Sequence, residues 1–167
     1  MTSYGRLSKN KTFINCTIVK NDCQNGGNYG FICHPQCELY NCILSDNMIG
    51  TSKLDIRPIY DAGNTSTSEL SMVNCIFVNS QKGVDENWQG LINCKKVTSI
   101  KFVNSENDDY TLTPRSEAYD TGYYEPWILS TVGDKDLDGN PRIYYCGIDI
   151  GAYECQNVRP GIILINR

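Results

Sequence analysis

The sequence predicts an all-β solenoid: a stack of short coils followed by a β-rich C-terminal cap. Three observations predict it. A phrase of Asn-Cys followed two residues after the Cys by an apolar side chain recurs at Asn15-Cys16-Thr17-Ile18, Asn41-Cys42-Ile43-Leu44 and Asn74-Cys75-Ile76-Phe77, with a partial copy at Asn93-Cys94. The Cys and the residue two later (Ile18, Leu44, Phe77) would point to one face of a strand, the inside of a coil. Each phrase is short, rich in β-branched and aromatic residues, and bounded by Asn, Asp, Gly and Ser clusters that read as turns, which disfavours a helix.

The first coil carries Asn15 and a second Asn at Asn21, and the next carries Asn41 and Asn47. The third carries Asn74 with Ser80 in the second place. Successive repeat Asn residues are 26, 33 and 19 residues apart, the irregularity expected of coils joined by loops of different length. The tetrapeptide Phe77 to Ser80 recurs at Phe102 to Ser105. Asn15, Asn41 and Asn74 at one place in successive coils can stack their side-chain amides, each donating to the next, and Asn tolerates left-handed turn geometry. The plainer reading is that Asn is a common turn residue. Cys16, Cys42 and Cys75 share one repeat position and read as an inward column of small apolar side chains, which Cys94 extends.

At 167 residues the chain is one domain by length. Its hydrophobic share of 40% suits a thin core with many turns. The net charge of −4 and the lack of a basic block argue against a nucleic-acid partner. No apolar run approaches the roughly 20 residues of a membrane span, so membrane insertion is not expected. The opening residues lack the apolar core of a secretory signal and run at once into the first repeat. An uncapped coil would leave an open sheet edge, so the sequence reads as the C-terminal piece of a longer solenoid, either a monomer or part of a longer chain, with any export signal upstream.

The nine cysteines leave at least one unpaired within the chain. Cys23, Cys33, Cys37, Cys146 and Cys155 lie off the repeat position and are the disulfide candidates in an oxidising compartment, with connectivity open. Cys23, Cys33, His34 and Cys37 nominally offer a zinc set, but the spacing matches no regular knuckle.

The repeat phrases resemble those of right-handed parallel β-helix proteins, the pectin-lyase-like fold. That resemblance implies a right-handed parallel β-helix over residues 1–105, roughly four coils stacked about 4.8 Å apart. Residues 106–167 would form a cap packed on the last coil. From Asp109 the motifs DYTLTPRSEAYDTG, DLDGNPR and DIGAYE resemble the choice-of-anchor Q domain of bacterial surface proteins, over Phe102 to Glu154. Glu117 departs from it, standing where that family has Pro; restored backbone freedom would loosen the turn.

The residues of this region also read by themselves. Tyr110 and Leu112 share a strand face, Asp138-Gly139 is a tight-turn signal, and Ile148, Ile150 and Ala152 alternate as in a half-buried strand. Arg142, Asp149 and Glu154 are expected to meet as a structural charged cluster, an Arg fork holding a carboxylate. Asp134, Asp136 and Asp138 with Gly139 open a calcium loop on paper. An EF-hand is excluded because its twelfth position is Tyr145, leaving calcium in another geometry or a solvated acidic turn.

The chain holds 11 tyrosines and two tryptophans. Tyr123, Tyr124 and Trp127 are the candidates to stack on sugar rings, the other reading being that they pack the cap. The sequence therefore points to a non-catalytic extracellular or cell-surface β-helix domain with a structural or adhesive role and polysaccharide as partner. Asp22 and Asp46, the nearest acidic pair, sit out of register, and no catalytic residue or cofactor is assigned. The alternative is a fragment of a polysaccharide lyase or glycoside hydrolase of the same fold, which would need stacked or paired carboxylates.

Overall fold

The computed structural model of the protein describes residues 11–23, 37–56, 71–80, 84, 90–144 and 147–157. The strands of the first half are β1 (Lys11–Ile14), β2 (Thr17–Val19), β3 (Asp22–Cys23), β4 (Cys37–Tyr40), β5 (Ile43–Ser45), β6 (Met48–Ile49) and β7 (Ser52–Lys53). They are followed by β8 (Ser71–Val73), β9 (Ile76–Phe77), β10 (Leu91–Ile92), β11 (Lys95–Lys96), β12 (Phe102–Asn104) and β13 (Asp109–Leu112), then the helix α1 (Pro126–Val132). Its regular elements are thus mostly strands, with one α-helix among the described residues.

Two four-stranded parallel sheets dominate. One has the order β1-β4-β8-β10 and the other β2-β5-β9-β11. Pairing is in register with the repeat phrase: Phe13, Leu39, Met72 and Leu91 align in the first sheet, and Thr17, Ile43, Ile76 and Lys95 in the second. The chain passes from the first sheet to the second at each repeat Asn. There the backbone is left-handed, with φ of 50° at Asn15 and Asn41, 53° at Asn74 and 52° at Asn93. Among residues other than Gly, Asn bears this conformation at low cost because its short polar side chain bonds locally.

The main core lies between these sheets. Leu39, Cys42, Leu44, Ile56, Met72, Cys75 and Phe77 have no exposed surface, each large side chain stabilising the fold by about 1.5–3 kcal/mol on burial. Phe13, Cys16 and Ile18 at the β1/β2 side are only partly buried. A second cluster lies outside the second sheet, where Ile43 and Ile76 pack with Leu112, Ala118, Tyr119, Ile150 and Cys155. β5 and β9 are therefore apolar on both faces, the pattern of a sheet covered on both sides.

The second copy of the Phe-Val-Asn-Ser tetrapeptide does not join the parallel sheets. β12 pairs antiparallel with β13 across a single 3-10 turn at Ser105–Asn107, which ends in left-handed Asp108. The segment around Ile150 buries Ile148 and Ile150 but forms no strand. Its N–H groups bond irregularly: Ile150 to the carbonyl of Ala118, Gly151 to that of Asn41, and Ala152 to Thr17 Oγ1. The C-terminal region thus reaches residues of the first and second repeats along the outside of the second sheet. No helix among the described residues is long and apolar enough to cross a membrane.

Candidate functional site

A continuous amide ladder runs along the turn between the two sheets. Asn41 Nδ2 donates to Asn15 Oδ1 at 3.2 Å, Asn74 Nδ2 to Asn41 Oδ1 at 3.1 Å, and Asn93 Nδ2 to Asn74 Oδ1 at 2.6 Å. Every rung donates towards the N-terminal side. The ladder also fixes the C-terminal region: Asn74 Nδ2 donates to the carbonyl of Thr121 at 2.7 Å. Asn41 pairs with the backbone of Tyr123, donating to its carbonyl at 2.8 Å and accepting from its N–H at 2.6 Å.

A second amide column stands at the other turn. Asn21 Nδ2 donates to Asn47 Oδ1 at 2.8 Å. Asn47 then donates from its backbone N (2.9 Å) and Nδ2 (2.8 Å) to Asp55 Oδ1. Asn79 does the same to Asp55 Oδ2, at 2.7 and 3.0 Å. Asp55 is fully buried and receives four N–H bonds, the condition under which a buried carboxylate is tolerated. Sequence reasoning missed it because Asp55 lies outside the repeat phrase, in the longest spacer. The third place belongs to Asn79 rather than Ser80, whose hydroxyl instead donates to the carbonyl of Val84.

Cys16, Cys42, Cys75 and Cys94 follow the ladder residues and turn inward. The thiols of Cys42, Cys75 and Cys94 each lie within reach of two carbonyl acceptors, one in their own repeat at Tyr40, Val73 and Ile92 and one in the preceding repeat at Phe13, Leu39 and Met72. Burial pushes the Cys75 thiol up. Cys16, Cys37, Cys42, Cys75, Cys94 and Cys155 are free thiols. Of the off-repeat cysteines, Cys37 and Cys155 therefore carry no disulfide; Cys33, His34 and Cys146 lie outside the described residues, as does the side chain of Cys23.

The three candidate sugar-stacking aromatics are brought together at the start of α1. Pro126 opens the helix after extended Glu125, its fixed φ suiting the first helical position, and Ile128 anchors it with no exposed surface. Trp127 stands edge-on to Tyr40 of β4, centroids 4.9 Å apart, yet is 41% exposed. Tyr124 is 52% and Tyr123 38% exposed. The Tyr123 hydroxyl donates to Glu125 Oε1 at 2.9 Å, a bond that holds its pKa above the usual tyrosine value. The result is an aromatic ledge of one fixed and two outward rings, its backbone held by Asn41.

The acidic motifs do structural work. Asp136, 8% exposed, accepts from the N–H groups of Asp138 and Asn140 on Oδ1, and from Glu154 N and Asn140 Nδ2 on Oδ2. Its oxygens thus close the turn, while Asp134 and Asp138 remain exposed. Arg142 is buried and forms no ion pair with a carboxylate among the described residues, although Asp136, Glu154 and Asp149 lie near enough for their charges to favour its own. Its fork donates to the carbonyls of Gly151 at 3.2 Å and Ala152 at 3.3 Å. Burial lowers its pKa.

Asp120, Asp149 and Glu154 bring one oxygen each within 4.8 Å of one another; the meeting of Asp149 with Glu154 is as the sequence leads one to expect, and Asp120 is the member it did not suggest. Asp149 Oδ1 accepts from Asp120 N and Oδ2 from Cys155 N, and Glu154 Oε2 from Asp149 N. Burial pushes the Glu154 carboxyl up to about 8. These groups tie three backbone segments together, and the fully buried Asp149 offers no face to a substrate. No family model matches the chain, and neither a curated protein nor a solved structure does.

Proposed function

We propose that the protein is a right-handed parallel β-helix module acting as a non-catalytic extracellular or cell-surface domain, structural or adhesive, that contacts polysaccharide. In support of the β-helix stand the in-register parallel strands and the amide ladder at the corner between sheets. The resemblance of the C-terminal motifs to the choice-of-anchor Q domain supports a surface location. One observation carries the glycan contact: Trp127 and Tyr124, three residues apart in sequence, are both exposed next to a backbone held by Asn41 at Tyr123, and pyranose rings stack on exposed aromatic faces through their apolar C–H surfaces, as apolar groups do generally on aromatic rings.

The test is retention on a panel of immobilised polysaccharides, with and without calcium. Trp127→Ala and Tyr124→Ala should each weaken retention, by roughly tenfold for the loss of one stacking face worth about 1.4 kcal/mol. Unchanged retention would leave the rings a packing role. Release of unsaturated products or new reducing ends would instead establish the alternative, a fragment of a lyase or glycoside hydrolase.

A further inference from the structure

The amide ladder binds the C-terminal region at Asn41 and Asn74 and is open to solvent at Asn93. Asn41 uses its whole amide, giving to Asn15 and Tyr123 and taking from Asn74 and Tyr123. Asn74 gives to Asn41 and to the carbonyl of Thr121. Asn93 is exposed and gives one N–H to Asn74; its second N–H and its Oδ1 take no partner among the described residues. Ahead of Thr121 the C-terminal segment bends away from the ladder, where the Ala118 carbonyl accepts from Ile150 N and Asp120 N donates to Asp149. A cleft of about 310 Å³ opens there, at the lower end of the volumes that hold small ligands. Asn93 and Lys95 form its sheet-side wall, and Glu117 and Thr121 the opposite one. The second wall is fixed, since Thr121 Oγ1 donates to the Glu117 carbonyl at 3.0 Å and Lys101 Nζ stands 3.7 Å from Glu117 Oε1. Lys95 ends the outward row of Ile43 and Ile76. It is exposed and pairs with no carboxylate among the described residues.

We infer that this cleft binds one neutral pyranose unit through two adjacent hydroxyl groups. The inference rests on the polysaccharide reading above and names the class of sugar. Asn93 offers a donor and an acceptor side by side, and Tyr123 shows what satisfies that pair on Asn41: the N–H and C=O of one residue. A vicinal diol presents the same complement, one hydroxyl donating to Oδ1 while the other oxygen accepts from Nδ2. Lys95 can donate to a further ring hydroxyl, and Glu117 can accept from one through Oε1, its Oε2 being buried. The ammonium and the carboxylate stand on opposite walls, so a charged sugar would be repelled by one of them; a neutral ring answers both. A peptide backbone would satisfy Asn93 and leave those two walls unanswered.

The probes are the methyl glycosides of glucose, galactose and mannose, which between them span equatorial and axial diols. Each is titrated at millimolar concentration into the isotope-labelled full chain and followed by NMR. Saturable shifts of the Asn93 side-chain amide with at least one glycoside, accompanied by shifts at Lys95 and Thr121, are the expected result. Asn93→Gly, which keeps the left-handed turn, should weaken that binding about tenfold. Lys95→Ala, at an exposed position, should weaken it several-fold, and Trp127→Ala should leave it unchanged. Silence at Asn93 with all three glycosides would overturn the inference, as would affinity unaltered in both the Asn93 and Lys95 variants. Tighter binding of methyl glucuronide than of methyl glucoside would overturn the neutral class, and shifts at Asn93 with an N-acetylated dipeptide amide alone would replace the sugar by a peptide. Polysaccharide retention that depends on Trp127 while Asn93 stays silent would sink the cleft alone, whereas neither retention nor shift would sink both readings.

Discussion

The side-chain amide of Asn41 forms a two-point pair with the backbone of Tyr123, Oδ1 taking its N–H at 2.6 Å while Nδ2 gives to its carbonyl at 2.8 Å. The same amide gives to Asn15 and takes from Asn74. Asn41 therefore joins the parallel sheets to the segment that carries the aromatic ledge.

Two substitutions separate its conformational role from its bonding role. Asn41→Gly keeps the left-handed backbone and removes the amide, leaving buried partners unpaired, for a predicted loss of about 2–4 kcal/mol. Asn41→Ala adds about 1 kcal/mol for the strained φ. Urea unfolding at an unchanged slope measures both, and equal losses would mean that the backbone conformation costs nothing at this site.

Gly151 marks a second fixed contact. Its φ is +109°, and a Cβ there would stand 2.8 Å from both Ile43 Cδ1 and Thr17 Oγ1. Gly151→Ala should destabilise by about 2–4 kcal/mol, combining overpacking with backbone strain. Gly50 has φ of +58° and open space around it, so Gly50→Ala should cost only about 1 kcal/mol. Thermal unfolding of the two variants side by side checks the difference.

Glu154 makes stability fall as pH rises. Burial lifts its folded pKa to about 8, from a usual value of 4.5. The folded protein retains a proton that the unfolded chain releases, so the contribution is whole below the lower value and disappears as pH climbs through the upper one. Glu154→Gln stays neutral and can still accept from Asp149 N. Its stability should lack the decline seen in the unaltered protein between those two values, as read from urea midpoints across the range; parallel curves would mean that Glu154 ionises normally.

The repeat phrase made much of this legible. The ladder asparagines and the inward thiols recur at one offset, and alternation sends Leu44 and Phe77 inside. What escaped had no repeated signal. Asp55 sits in a spacer, and Asn79 replaces Ser80 because the third rung is one residue shorter between its two corner groups. Arg142 lies near the carboxylates its charge suggests, but its hydrogen bonds go to the carbonyls of Gly151 and Ala152, which composition cannot flag. One signal was present and unread: Ile43 and Ile76 are apolar on the outward parity of their strands, and only Lys95 ends that row. An apolar outer face requires a cover, here Ala118, Tyr119 and Ile150.

The thiol column predicts an order of chemical labelling. Cys42 and Cys75 are fully buried, while Cys16 and Cys37 are half-buried. A thiol reagent with mass-spectrometric mapping should modify Cys16 and Cys37 in the folded protein. Cys42 and Cys75 should react only on the timescale of global unfolding, and fast labelling of either would show that the core opens locally.

The in-register stack is what every other relation here depends on, and nuclear Overhauser contacts between parallel strands test it most directly. The account predicts cross-strand contacts linking Phe13 to Leu39, Leu39 to Met72 and Met72 to Leu91, together with Thr17 to Ile43 and Ile43 to Ile76. Contacts that pair these strands antiparallel, shift them by a residue, or fail to connect the three repeats would contradict it.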